Sequence, residues 1–158
     1  MQVLISDANI LIDMEVGGLL EPLFALPFQF KVADLLYYDE LEEQHPHLPG
    51  LGLLITELSA ASMTEAVRLT SLYSSPSRYD CFALALAKQE ECPLLTGDGR
   101  LRKAAEQEAV VVMGTIWLVE QMVIHPFPIA RLVFSINFSF LRLPSSGIVY
   151  GQDLMPRE

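Results

Sequence analysis

Five short apolar runs, each followed by a stretch with helical spacing, set the tightest limit on what this chain can fold into. The runs are Val3–Ile5, Phe28–Ala33, Leu51–Leu58, Pro93–Thr96 and Ala109–Met113. Short continuous runs suit strands buried on both faces, as in a parallel sheet. The first helical stretch is Asn9–Glu15, with Ile10, Leu11 and Met14 on one face, broken by Gly17-Gly18. Leu19–Leu26 follows, stopped by Pro27, and then Leu35–Gln44, with Asp34 as its expected N-cap. His45–Gly50, with two prolines, reads as a loop. Ser62–Tyr73 places Met63, Ala66, Val67 and Thr70 on one face, and Ser74-Ser75-Pro76 reads as a turn. Ser77–Glu91 is the strongest helix, Leu101–Glu108 a polar one, and Gly114–Ile124 a final core helix. Strands alternating with helices predict an α/β three-layer sandwich, a parallel sheet of about five strands with helices on both faces. No internal repeat or low-complexity linker interrupts residues 1–125, which read as one unit.

Residues 126–158 read as an apolar C-terminal extension. Phe134, Ile136, Phe138 and Phe140 alternate with polar residues, a strand pattern, while Ile129, Leu132, Val133 and Ile136 form a helical stripe. Under either period some apolar side chains have no place in the chain's own core. The extension is therefore expected to pack on the domain or on a partner.

The charge narrows the function. At pH 7 the chain carries a formal −10. A passive nucleic-acid binder needs the opposite sign, because its affinity comes from Lys and Arg meeting phosphates. An acidic balance fits a solvated surface, or carboxylates that hold divalent cations and so reverse the local field. The two cysteines, Cys81 and Cys92, lie in apolar surroundings and read as reduced core thiols. No apolar run approaches the roughly 20 residues of a membrane span, and the first residues lack the basic start of a signal peptide. A soluble cytoplasmic protein is expected.

Four acids stand where an α/β sheet places its sites, beyond the carboxyl ends of strands or on adjoining helices. Asp7 follows the first strand and Asp98 the fourth. Glu40, with Leu36 and Tyr37 one turn back, leans toward the packed face of its helix, and this favours it over Asp39. Asp80 opens a helix whose Ala83, Leu84 and Ala87 share its face. Each acid also has a plainer role. Asp7 and Asp98 can be N-caps, Ser77-x-x-Asp80 is a capping-box pattern, and Glu40 can pair with a surface cation. Taken together, three or four carboxylates supply the hard oxygen donors that Mg²⁺ or Mn²⁺ require. His45-Pro46-His47 has no comparable supporting pattern as a metal site.

The segments carrying these acids resemble those of the PIN-domain family, in particular ribonuclease toxins of the VapC-like class. Val3-Leu4-Ile5-Ser6-Asp7-Ala8-Asn9 is similar to the opening strand and first acid, and Glu40-Leu41 to a Glu-Leu pair. Asp80-Cys81-Phe82-Ala83-Leu84 is similar to the central helix with its leading Asp, and Thr96-Gly97-Asp98 to the Thr-x-Asp strand exit. The match spans about residues 2–122, in the family's order, with 18 positions from Asp80 to Asp98. The short stretch between Glu40 and Asp80 departs from the family and implies reduced clip-like helices.

The resemblance implies a metal-dependent endoribonuclease, commonly the toxin of a toxin–antitoxin pair. Asp7, Glu40, Asp80 and Asp98 would bind one or two Mg²⁺ or Mn²⁺ ions, and Asn9 and Thr96 would orient waters or a carboxylate. Arg78, Arg100, Arg102 and Lys103 would hold RNA phosphates. Implied partners are an RNA substrate, a small antitoxin protein and a second copy in a homodimer. Two other readings stay open. One is a catalytically idle PIN-like interaction or RNA-scaffold module. The other is a phosphatase using Asp7 as nucleophile, for which Asn9 stands where an Asp-x-Asp motif needs its second acid.

Overall fold

The structure is a computed structural model and describes residues 1–126. Both patterns in the C-terminal extension, and the partner surface expected there, lie outside the described residues.

Five parallel strands form one sheet: β1 (Gln2–Ser6), β2 (Phe28–Ala33), β3 (Leu54–Thr56), β4 (Leu94–Leu95) and β5 (Val112–Met113), in the order β3-β2-β1-β4-β5. The register sets Ile5 beside Lys31 on one side and Leu94 on the other. Leu4, Ile5 and Ser6 are all fully buried, as are Leu94 and Leu95. Successive strand residues point to opposite faces, so both faces of the sheet centre are covered. The fold is the expected α/β class, with strands shorter than the apolar runs suggested at β3, β4 and β5.

The helices are α1 (Ala8–Val16), α2 (Leu20–Phe24), α3 (Asp34–Leu36), α4 (Leu48–Leu51), α5 (Ala60–Leu72), α6 (Arg78–Gln89), α7 (Gly99–Gln107) and α8 (Thr115–Ile124). Cys81 to Ala87 of α6 are buried without a break, so this helix is enclosed on all sides. It packs on β1, β2 and β4 and against α5 and α7.

Several expectations are corrected. Asp34 does not cap the helix after β2. Ala33 holds the N-cap position, Asp34 lies in the first turn, and its buried Oδ1 has no hydrogen-bond partner among the described residues. That helix is not regular either, because α3 runs directly into a π-helical turn over Tyr37–Leu41, closed by Glu42 N–H donating to Tyr37 O at 2.8 Å. The segment read as a loop contains α4, whose first turn tolerates Pro49 because the N–H it lacks has no helical partner there. The inner face of α5 is Ser62, Ala66 and Leu69, while Met63 and Val67 are exposed. The small Ser62 and Ala66 let α5 approach α6 closely, which the larger apolar residues would prevent. The last helix is not a core helix. Only Leu118 of α8 is buried, and Ile116 and Val123 are largely exposed. Cys81 is a buried free thiol, and Cys92 is only partly buried.

Two helices end on non-glycine residues in the left-handed region, Glu91 (φ 50°) after α6 and Ala109 (φ 58°) after α7. In both, the next two N–H groups return to carbonyls of the last turn, as with Ala109 N to Glu106 O (3.1 Å) and Val110 N to Ala105 O (2.9 Å). Glycine reaches this conformation without the Cβ clash. Ala109→Gly is therefore expected to stabilise the fold by about 1 kcal/mol in urea denaturation. An unchanged or lower midpoint would show that chain entropy outweighs the relieved strain.

Candidate functional site

The sheet order reverses between β1 and β4, and ligands of such sheets bind at the carboxyl edge of that point. Asp7 leaves β1 there and Asp98 follows β4. Asp7 is buried and its backbone is extended, which suits an N-cap. Its Oδ1 accepts from Ile10 N at 2.9 Å, and its Oδ2 from the buried Thr96 hydroxyl. Thr96 Oγ1 in turn accepts from Asp98 N at 3.0 Å. One threonine thus joins the acids of two neighbouring strands. Asp98 caps α7 through Arg100 N at 2.7 Å.

Glu40 and Asp80 come from helices. Asp80 completes a capping box at the start of α6. Its N–H donates to Ser77 Oγ at 3.1 Å, and its Oδ2 accepts from Ser77 N at 2.7 Å. Glu40 sits on the π-helical turn, a local distortion often found at functional sites. It is exposed rather than leaning on the packed face. The extra residue in the π turn displaces it from the position that regular helical spacing gives. Asp39 instead accepts a hydrogen bond from Tyr79 Oη at 2.9 Å.

Glu40, Asp80 and Asp98 line one depression of about 520 Å³ with Ala8, Asn9, Arg100 and the turn Ser74–Ser77. Asp7 lies buried beside it, and charges of the other acids reach it and Glu40. Burial above all, with the charges of Asp80 and Asp98, raises the Asp7 carboxyl to about 6, against the bonds from Thr96 and Ile10, which hold it down. The Glu40 carboxyl is also raised, by lost hydration and then by Asp80, Asp39 and Asp7. Ser74 to Ser77 were read only as a turn and a cap, and they form a wall of the site. The signal available in the sequence was their position directly before Asp80.

Of the described cations, Lys31 pairs with Glu90, while Arg68 and Lys88 pair with Glu65 and Glu108, away from this edge. Arg78, Arg100, Arg102 and Lys103 are outside those pairs. The structure brings only Arg100 to the depression, 3.9 Å from Asp98 Oδ1. Arg78 lies over the Tyr79 ring. Arg102 lies against Gly114, where a Cβ would stand 2.8 Å from its Nη2. Lys103 is exposed on α7. His45 and His47 do not join the acids. Both bind the Glu15 carboxylate, His47 at 3.1 Å, and clamp the segment before α4 to the end of α1.

Among the described residues, no three His, Cys, Asp or Glu side chains stand as a ready-made metal site. The donor chemistry nonetheless fits a hard cation. All four donors are carboxylates. Oδ1 of Asp80 and Oδ2 of Asp98 have no hydrogen-bond partner among the described residues. The mutual repulsion on Asp7 and Glu40 is what a divalent ion would relieve.

An open parallel sheet with acids gathered at its switch point defines a class of α/β proteins with a polyanionic edge site. The family model for the PIN domain matches residues 3–126, and the chain belongs to that family. No curated protein matches it. Among solved structures, a PilT N-terminus domain protein of the archaeon Sulfolobus solfataricus shares the fold at 14% identity, with a TM-score of 0.51 over 78% of this chain and 92% of that one. A toxin–antitoxin complex from Klebsiella pneumoniae aligns at 22% identity with a TM-score of 0.48, over 60% of this chain and 85% of that one. VapBC2 of Rickettsia felis, bound to a promoter DNA fragment, aligns at 13% and 0.49, over 72% and 98%.

Proposed function

We propose that this PIN-domain protein is a Mg²⁺- or Mn²⁺-dependent endoribonuclease whose centre is Asp7, Glu40, Asp80 and Asp98. The observation that carries the reading is the gathering of these acids on one edge of the sheet, close enough that Asp80 and Asp98 raise the Asp7 carboxyl and Asp80 and Asp7 raise that of Glu40. Left alone, such a depression repels a phosphodiester. With a divalent cation it attracts one. When bound, the cation acidifies water and offsets negative charge on the phosphoryl oxygens.

The chain's own groups supply the order. The Thr96 hydroxyl and Ile10 N–H fix both Asp7 oxygens, and Arg100 N and Ser77 N each hold one oxygen of Asp98 and of Asp80. Asn9, on the wall, is placed to orient water, and Arg100 at the rim to hold an RNA phosphate. Arg78, Arg102 and Lys103 are further phosphate contacts along a longer strand.

The same proposal takes the protein as a cytoplasmic toxin, homodimeric and controlled by a small antitoxin protein. Residues 1–125 are the catalytic unit, and the extension from 126 serves partner contacts. No described helix is long and apolar enough to cross a membrane. An idle interaction module is disfavoured by the presence of all four acids.

The purified chain is expected to cut single-stranded RNA with Mg²⁺ or Mn²⁺ and to stop in EDTA. Undiminished cleavage in excess EDTA would reject the metal mechanism. No cleavage of any RNA with either ion would favour the idle module.

A further inference from the structure

The four acids fall into two halves held in different ways. Asp7 and Asp98 leave adjacent strands whose register fixes Ser6 beside Leu95, and Thr96 bonds to both. Glu40 and Asp80 have no sheet between them. Their separation depends on how the π-helical turn lies against the start of α6. Among the described residues, one side-chain hydrogen bond joins these two segments, from Tyr79 Oη to Asp39 Oδ2 at 2.9 Å. Its partners are the immediate neighbours of Asp80 and Glu40.

Tyr79 is itself held on several sides. Phe82, 8% exposed, meets its ring edge-on with centroids 6.0 Å apart. The Arg78 guanidinium stands 5.0 Å from the ring centroid, and its Nη2 donates to Tyr79 Oη at 2.9 Å. A hydroxyl that accepts from Arg78 while donating to Asp39 is directed along one line. The ring beneath it is anchored to the core through Phe82.

We infer that Tyr79 is a positioning residue, which through Asp39 sets the spacing of Glu40 and Asp80 and so tunes the affinity of the site for a divalent cation. The inference rests on the metal-dependent reading above. Groups that orient ligands without touching the ion commonly change affinity by about 10- to 100-fold when lost. A misplacement of about 1 Å is enough to loosen such a site. The inference also gives Asp39 a role distinct from that of Glu40: it anchors the turn that presents Glu40.

The test is direct Mn²⁺ binding, read from the electron paramagnetic resonance signal of free Mn²⁺, on the full chain and on Tyr79→Phe, Asp39→Ala and the double variant. Tyr79→Phe keeps the ring and its packing on Phe82 and removes only the hydroxyl. Each single change is expected to weaken Mn²⁺ binding about tenfold. The double variant should be no weaker than the worse single, because one bond is being removed twice. Metal-free melting temperatures should stay within about 3 °C of wild type, which separates positioning from general loss of stability. Tyr79→Phe within twofold of wild-type affinity, or two effects that multiply, would overturn the inference and leave the metal reading standing. A wild-type chain that binds no Mn²⁺ would overturn both.

Discussion

Asp7→Asn is expected to yield a protein that is more stable and has lost most of its activity. Burial and two neighbouring carboxylates raise the Asp7 carboxyl from 3.8 to about 6. A carboxyl whose pKa is raised on folding contributes stability below its unfolded value, and that contribution is lost as pH rises through the folded value. Between about pH 4 and pH 6, ionising Asp7 therefore costs the metal-free fold roughly 3 kcal/mol. Asparagine has no charge to ionise. It is as good an N-cap, so the bond from Ile10 N survives. The Thr96 hydroxyl, which donates to Asp7 Oδ2, would face an amide NH2 in the variant and has to turn to accept from it. Allowing for that cost, a net gain of about 2 kcal/mol, or roughly 4 to 8 °C, is expected above pH 7 in metal-free buffer. The gain should vanish near pH 4, where wild-type Asp7 is also neutral. RNA cleavage should fall about 100-fold or more, since the buried charge that destabilises the fold is the one a cation needs. Calorimetry at pH 4 and pH 7.5 beside a cleavage assay decides. Lower stability at pH 7.5 would make Asp7 a structural cap, and near-wild-type cleavage would remove it from the centre.

Asp80→Asn separates two roles that coincide in one side chain. The capping box exists, with Oδ2 on Ser77 N at 2.7 Å. Asparagine keeps an acceptor there, so the structural loss is limited to the favourable charge at the helix start, about 1 kcal/mol or less. Part of that is returned by relief of repulsion with Asp7 and Glu40. If Asp80 is also a metal ligand, cleavage should drop about 100-fold at nearly constant melting temperature. A large fall in melting temperature with unchanged cleavage would leave Asp80 as a cap alone.

The two acids at the strand ends were the more legible in sequence. A buried strand pattern fixes where the strand stops, and sheet topology sends its end to the site edge. Asp7 and Asp98 also proved to be the N-caps that their neighbours suggested, because one carboxylate can satisfy a helix N–H with one oxygen and still present a charge. Glu40 was less legible. Helical spacing assumes 3.6 residues per turn, and the π turn at Tyr37–Leu41 breaks that count. Its side chain therefore faces the depression rather than the core.

At Asp34 the helix begins one residue earlier than its N-cap chemistry suggests, so Asp34 lies in the first turn instead of capping it, and its buried Oδ1 has no hydrogen-bond partner among the described residues. In α5, hydrophobicity pointed to Met63 and Val67 beside Ala66, but packing buries Ser62 and Leu69 beside it instead. In α8, an apolar composition suggested a core helix, yet composition does not say whether another element covers the far face. The Tyr79–Asp39 bond joins residues 40 positions apart and has no local signal at all.

The most direct test of the metal centre is cleavage of labelled single-stranded RNA by the wild-type chain and by Asp7→Asn/Asp98→Asn, purified side by side. Each is assayed in Mn²⁺, after excess EDTA, and after Mn²⁺ is restored. The account predicts cleavage by the wild type that EDTA abolishes and Mn²⁺ restores, with none from the double variant under any condition. Equal cleavage by both proteins, or wild-type cleavage that persists in EDTA, would contradict it.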